Sequence, residues 1–151
     1  MRPVVRAVLI VTGVAVACAG GPPRPATLNP GDDSCSFCRM VVSDPRFAGQ
    51  IVARGADPLF FDDLGCMRDY IRGGRSVPEG AVAYVADHRT GTWVPGGRAV
   101  FTSVPDLTTP MGGGIIAHAD RTSRDSDAVA RGGTPVAPAG VIGAALAGRA
   151  Q

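Results

Sequence analysis

The sequence has no lysine. Its fifteen basic side chains are all arginine, and they face twelve aspartates and a single glutamate. Two of the arginines, Arg2 and Arg6, fall in a leader described below, which leaves thirteen bases against thirteen acids in the remainder. A nucleic-acid binder gathers Lys or Arg on one face, whereas these arginines are spread along the chain, and that class is set aside. Aromatic residues are scarce at 5%, so the core has to be built from aliphatic side chains. Long apolar runs are missing too, and nothing approaches the roughly 20 residues that a membrane-spanning helix needs. The 151 residues suit one domain and exclude most multidomain enzymes. A content of 45% hydrophobic and 19% charged residues excludes a disordered polyelectrolyte.

What is present begins with an address. Arg2 and Arg6 precede an uninterrupted run of small and aliphatic residues with one threonine, Ala7 to Ala17, which ends in Ala15-Val16-Ala17-Cys18. This pattern is a secretion signal. As a helix the run would reach about 16 Å, about half of a bilayer's apolar thickness, so it does not predict a permanent transmembrane anchor. Small residues directly before Cys18 resemble the lipobox of bacterial lipoproteins, whose cysteine is diacylated and becomes the new N-terminus. Ala15 stands where leucine is commonest. Two or more acyl chains hold a protein on a membrane where one does not. Ala19 stands where an aspartate retains such lipoproteins at the inner membrane, so the resemblance is compatible with outer-membrane sorting and a periplasm-facing protein.

The predicted organisation is a signal over residues 1–17, a flexible lipidated tether of Gly, Pro, Asn and Asp over 18–34, and a domain over 35–151. Val41-Val42, Gln50 to Arg54, Leu59 to Phe61 and Ala81 to Ala86 read as short strands. Between the last two, Asp63 is an N-cap, Leu64, Met67, Tyr70 and Ile71 fall at helical spacing, and Gly73-Gly74 stops the helix. The second half predicts strands at Trp93-Val94, Val100 to Ser103 and Gly114 to His118, a capped helix from Ser123 to Arg131, a strand at Val136 and a weak helix from Val141 to Leu146. The expectation is an α+β fold of two similar ββαβ modules side by side, about 35–87 and 88–140.

Sulfur is concentrated in three motifs: Cys35-Ser36-Phe37-Cys38-Arg39-Met40, Asp62-Asp63-Leu64-Gly65-Cys66-Met67 and Thr109-Pro110-Met111-Gly112-Gly113-Gly114. Met67 lies on the apolar stripe of its helix and reads as core. Met40 and Met111 sit where no packing period operates, and a thioether on a loop suggests a ligand. Thioether and thiolate together favour Cu(I), whereas Zn(II) takes thiolate, imidazole and carboxylate. Haem attachment needs histidine after the second cysteine of the CxxC pair, and Arg39 is there instead. A periplasmic thiol-disulfide centre at Cys35/Cys38, a zinc-binding interaction domain using Cys35, Cys38, Cys66 and His118, and a plain disulfide stay open. Cys66 falls in the first turn of its helix, where the dipole favours thiolate. Asp62 and Asp63 resemble paired catalytic acids, but Asp63 has enough to do as a cap, and no enzyme is implied. His118 reads as a structural strand histidine and His88 as a turn residue.

In this order, Cys38-x-Met40, Phe61-Asp62-Asp63-Leu64-Gly65-Cys66-Met67 and Thr109-Pro110-Met111-Gly112-Gly113-Gly114 resemble the NosL family over Cys35 to about Gly133. The resemblance implies a lipoprotein copper chaperone, not an enzyme, with a fold of two ββαβ modules and one Cu(I) site. It also implies delivery of copper to nitrous-oxide reductase, or to another copper client, during assembly of its copper centres. Carried over by motif, Cys38, Met40 and Met111 are the metal ligands, Cys35 and Cys66 are supporting candidates, and Cys18 is the lipid attachment. Arg39 occupies a position where the family commonly has glycine.

Overall fold

The computed structural model describes residues 20–149, so the signal and Cys18 lie outside the described residues. The fold is α+β, with two antiparallel sheets and three helices. The first sheet comprises β1 (Gly49–Val52), β2 (Leu59–Phe61), β3 (Val82–Ala86) and β4 (Trp93–Pro95), in the order β2-β1-β3-β4. The second comprises β5 (Val100–Ser103), β6 (Ile115–His118) and β7 (Thr134–Val136), in the order β6-β5-β7. A parallel bridge between Asp87 and Ala117 joins them. The helices are α1 (Leu64–Arg72), α2 (Arg121–Ser126) and α3 (Pro138–Ala147). Within each sheet the first strand lies between its second and third, an arrangement that a strand-strand-helix-strand order allows. β4 and α3 fall outside that order, and the likeness does not by itself make the halves a duplication.

Helix α1 forms where its local chemistry dictates. The Asp63 carboxylate accepts the Gly65 N–H at 2.6 Å, which satisfies a donor that a helix start would otherwise leave unpaired. Leu64, Met67 and Tyr70 then bury one face against Phe61, Ile51 and Val85, and Val141, Ile142 and Leu146 of α3 join the same core. Met67 is fully buried there. Gly143 has φ 73°, a left-handed kink inside α3 that a glycine adopts without a Cβ clash.

The outer face of the first sheet is covered as well. Residues 22–28 form neither helix nor strand, in keeping with their prolines, and lie along this face. The Ala26 N–H donates to Gln50 Oε1 at 2.8 Å, Gln50 Nε2 donates back to the Ala26 carbonyl at 3.2 Å, and the Tyr84 hydroxyl donates to the Pro23 carbonyl at 2.6 Å. Gln50 is thereby buried with both ends of its amide paired. Ala26, Leu28 and Trp93 pack on Val42, Ala48 and Phe60.

Two expected elements differ. Val41-Val42 is no strand; Val41 makes an isolated bridge to Ser34, because the chain folds back through the Cys35 to Met40 turn and has no other strand beside it. The expected helix from Ser123 to Arg131 starts earlier, capped by Asp120 through the Ser123 N–H, and breaks at Asp127 before a 3-10 turn, Ala128–Ala130. Asp127 leaves helical geometry (φ −91°, ψ 114°) with its carboxylate committed to the Val129 N–H and to two histidines. No helix among the described residues is long and apolar enough to cross a membrane.

Asp87 welds the two sheets. One carboxylate oxygen accepts the Arg89 and Thr90 N–H groups, each at 3.0 Å, and the other accepts the Ala119 N–H and the Ser123 hydroxyl, each at 2.7 Å. Burial alone would raise this carboxyl above its ordinary value of 3.8, but the donors win and lower it to about 2. A depressed folded value contributes stability above the unfolded value and loses it as pH falls through the folded one. The protein is therefore expected to weaken between pH 4 and 2. Asp87→Asn should lower stability at pH 7 by about 2 kcal/mol and flatten that acid limb in denaturant titrations. An unchanged acid limb in the variant would contradict this assignment.

Candidate metal centre

The turn after Ser34 is closed by two backbone hydrogen bonds. The Cys35 N–H donates to the Met40 carbonyl at 2.8 Å and the Arg39 N–H to the Cys35 carbonyl at 3.0 Å. The Ser36 N–H donates to the Phe60 carbonyl at 2.7 Å and moors the turn beside β2. The end of β2 presents Asp62, and the first turn of α1 presents Cys66. The outcome is a four-donor cluster: one ligating atom each from Cys35, Cys38, Asp62 and Cys66, all within 4.8 Å of one another. Cys35, Asp62 and Cys66 are buried and Cys38 is half-buried. The Cys38 thiol donates to Asp62 Oδ1 at 3.6 Å, within reach for sulfur. The three cysteines are free thiols. Such a set can hold a metal ion, the thiolates serving soft or borderline ions and the carboxylate harder ones.

Burial pushes the Cys35 thiol up from its ordinary value of 9.0. It pushes Cys66 up further, with added repulsion from Cys35, Cys38 and Asp62. The helix start was expected to favour a Cys66 thiolate. Desolvation and crowded negative neighbours outweigh that dipole, so without metal the buried sulfurs are protonated at neutral pH.

Asp63 connects this cluster to the third sulfur motif. Besides capping α1, its buried carboxylate accepts the Thr109 hydroxyl, the Met111 N–H at 3.1 Å and the Gly113 N–H at 3.3 Å. Helix and loop touch closely: a Cβ on Gly65 would lie 2.8 Å from the Gly113 Cα, and one on Gly113 would strike the Asp63 carboxylate. Glycine is required at both places for the loop to approach. The backbone of Met111 is thus pinned one helical turn from Cys66.

The sequence-based candidates divide accordingly. Cys35, Cys38 and Cys66 come together. Met40 and Met111 belong to segments hydrogen-bonded to the cluster's own elements, but their side chains face solvent, 57% and 42% exposed. His118 does not join the cysteines, contrary to the zinc alternative; its Nε2 stands 3.0 Å from Asp127 Oδ2 instead. His88 is a turn residue as expected, yet also buried, with Nδ1 2.6 Å from the same oxygen. Asp62 was missed as a ligand because the adjacent acid had an evident role as cap. The signal that marks Asp62 is its place one residue before an N-cap, at the end of a strand that faces the CxxC turn.

Arg39 has φ 69°, the left-handed region that disfavours a side chain. This explains why glycine suits the position. Arg39→Gly is expected to leave the turn intact and raise stability by on the order of 1 kcal/mol, as read by thermal or urea unfolding.

Neither the curated proteins nor the solved structures give a match to this chain. The family model NosL does, over residues 25–143, which takes in all three sulfur motifs and most of the described fold. Members of that family are linked to copper handling in nitrous-oxide reductase maturation, an accessory rather than a catalytic role. With the match covering well over half of its length, the chain belongs to the NosL family.

Proposed function

We propose that the protein is an exported copper chaperone, anchored through acylated Cys18 and facing the periplasm, that carries Cu(I) to nitrous-oxide reductase or another copper client. The observation that carries this reading is the gradient of sulfur from inside to outside. Buried Cys35 and Cys66 lead to half-buried Cys38, Met40 is exposed in the same turn as Cys38, and exposed Met111 sits on the loop pinned to Asp63 at the start of the helix that carries Cys66. Cu(I) accepts both thiolate and thioether donors, the charged thiolate more tightly.

In this mechanism Cys38 supplies the thiolate, and Met40 and Met111 supply thioethers at the surface. Cys35 and Cys66 are supporting donors behind them. Exposed thioethers carry no charge and shed no proton, so a client's ligands can replace them one at a time while Cys38 keeps hold of the metal. Copper then passes over without entering solution. Export places the carrier in an oxidising compartment, where a thioether is not lost to disulfide formation.

The test is an anaerobic Cu(I) titration of the reduced, unacylated chain against Cys38→Ser, Met40→Leu and Met111→Leu. Cys38→Ser is expected to weaken binding by at least about 100-fold, given that a charged ligand is lost, and each methionine change by about 10-fold. Unchanged affinity in all three variants refutes the ligand set. One observation favours a second reading: Asp62 in the cluster gives a Cys-rich set with a carboxylate, which suits Zn(II). A zinc-stabilised interaction domain would unfold when its metal is stripped. The carrier instead remains folded when emptied of copper, so metal analysis paired with thermal melts separates the two.

A further inference from the structure

We propose that His88, His118 and Asp127 form a second metal site, built of nitrogen and oxygen donors, that takes one divalent ion of the zinc type at the junction of the two sheets. One ligating atom from each lies within 4.8 Å of the others, and all three residues are buried. This cluster shares no residue with the sulfur cluster. Both histidines of the sequence converge on it, from positions 30 residues apart. His88 follows β3 in the first sheet, His118 ends β6 in the second, and Asp127 interrupts the helical segment after α2. An ion held by the three would tie both sheets to that segment.

Hydrogen bonding holds the cluster together but leaves one ring nitrogen unpaired. Asp127 Oδ2 receives a nitrogen from each ring, at 2.6 and 3.0 Å, and Oδ1 accepts the Val129 N–H at 2.9 Å. His118 Nδ1 is buried with no hydrogen-bond partner among the described residues. A group left in that state costs about 1–3 kcal/mol, so two ring contacts to one oxygen come with a defect. Metal–ligand bonds would replace the two ring contacts to Asp127, while His118 Nδ1, the nitrogen that keeps the proton, stays unpaired in either case. Tetrahedral bonds of about 2.0–2.1 Å need the two His–Asp127 pairs to open to about 3.4 Å, a side-chain movement of under about 1 Å. Two imidazoles and a carboxylate without sulfur favour a borderline divalent ion and discriminate against Cu(I). The chain would thus keep its two kinds of metal apart by donor chemistry. Neither ring needs to be charged for this, because a metal-bound imidazole is neutral and its proton resides on the other nitrogen.

The experiment uses Zn(II) on a chain in which Cys35, Cys38 and Cys66 are all serine, so that sulfur cannot contribute. Equilibrium dialysis with metal analysis is expected to find one zinc per chain, and Asp127→Asn in that background to weaken it at least about 100-fold. A serine variant that folds but takes up no zinc overturns the proposal, as does zinc retained in full by Asp127→Asn. Should the triple-serine chain fail to fold, the wild-type chain saturated with Cu(I) serves instead. With only two histidines, its long-range proton–nitrogen spectra contain four ring nitrogens, and zinc is expected to shift one nitrogen of each ring together. Ring signals that ignore zinc overturn the proposal in that arm.

Discussion

Asp63→Ala is expected to lower the unfolding free energy by about 4 kcal/mol, a large share of what a domain of this size possesses. The expectation follows from the count of donors that one buried carboxylate serves. The Gly65 N–H starts α1, while the Thr109 hydroxyl and the Met111 and Gly113 N–H groups come from a loop some 46 to 50 residues away. Alanine leaves all four without that acceptor; the Gly65 N–H and the Thr109 hydroxyl are buried and the Met111 and Gly113 N–H groups partly so, and each buried orphan costs about 1–3 kcal/mol before relaxation. Loss of the cap alone would cost about 1 kcal/mol. Urea unfolding of the metal-free protein measures the difference, and a loss no greater than the cap's share would show that the loop is held by something else. Asp63→Asn is the milder companion. It keeps the shape and one acceptor oxygen, but turns an NH2 toward groups that are themselves donors, so about half of the loss is expected. Both variants should weaken Cu(I) binding, since Met111 loses the anchor that holds its loop beside α1.

Copper affinity should climb steeply with pH between 6 and 8. Burial raises the Cys35 and Cys66 thiols above their ordinary value of 9.0, so these two enter this range protonated in the empty site. Every thiolate that binds copper must release a proton, and each proton released makes affinity rise about tenfold per pH unit. A slope of one decade therefore counts one thiolate, two decades add one of Cys35 and Cys66 to Cys38, and three add both. Competition against a chromophoric Cu(I) chelator at several pH values gives the slope, and calorimetry in buffers of different ionisation heat gives the protons independently. Affinity that stays flat across the range would mean that no thiolate binds. The same shifts carry a sign for the empty protein. Because the folded values lie above the unfolded one, their contribution to stability is complete below pH 9 and is lost as pH rises beyond it. Copper reverses this by fixing the thiolates in the folded state.

Much of this was legible in the sequence wherever the cause is local. The span of α1 follows from an aspartate cap, an apolar stripe and a double glycine, and all three act within one helix. β5 follows from a β-branched and aromatic run between turn residues, and its bounds match those expected. Legibility fails where the cause is distant. Asp63 reads as a cap because the helix is next to it, while the loop it also holds is invisible at 46 residues' remove. Asp127 breaks a helix that local propensity favours, because two histidines from other elements claim its carboxylate. Cys66 sits where a helix dipole favours thiolate, yet its ionisation is set by burial and by neighbours that the sequence does not place beside it. The candidate site follows the same division: its cysteines are motif residues, whereas Asp62 becomes a donor only once β2 lies against the CxxC turn.

The pairing of Gln50 with Ala26, together with the Tyr84 hydroxyl on the Pro23 carbonyl, has a bearing on reach. Ahead of them the Arg54 guanidinium donates to the Gly21 carbonyl, so among the described residues the chain is fastened to the body of the domain from Gly21 onward. With Cys18 acylated as proposed, only Ala19 and Gly20 separate the lipid-bearing residue from that fastening, at most about 11 Å of contour. The domain would therefore ride close to the bilayer surface, on a leash far shorter than a free span up to Cys35 would give. A client would have to come to the membrane to collect its metal.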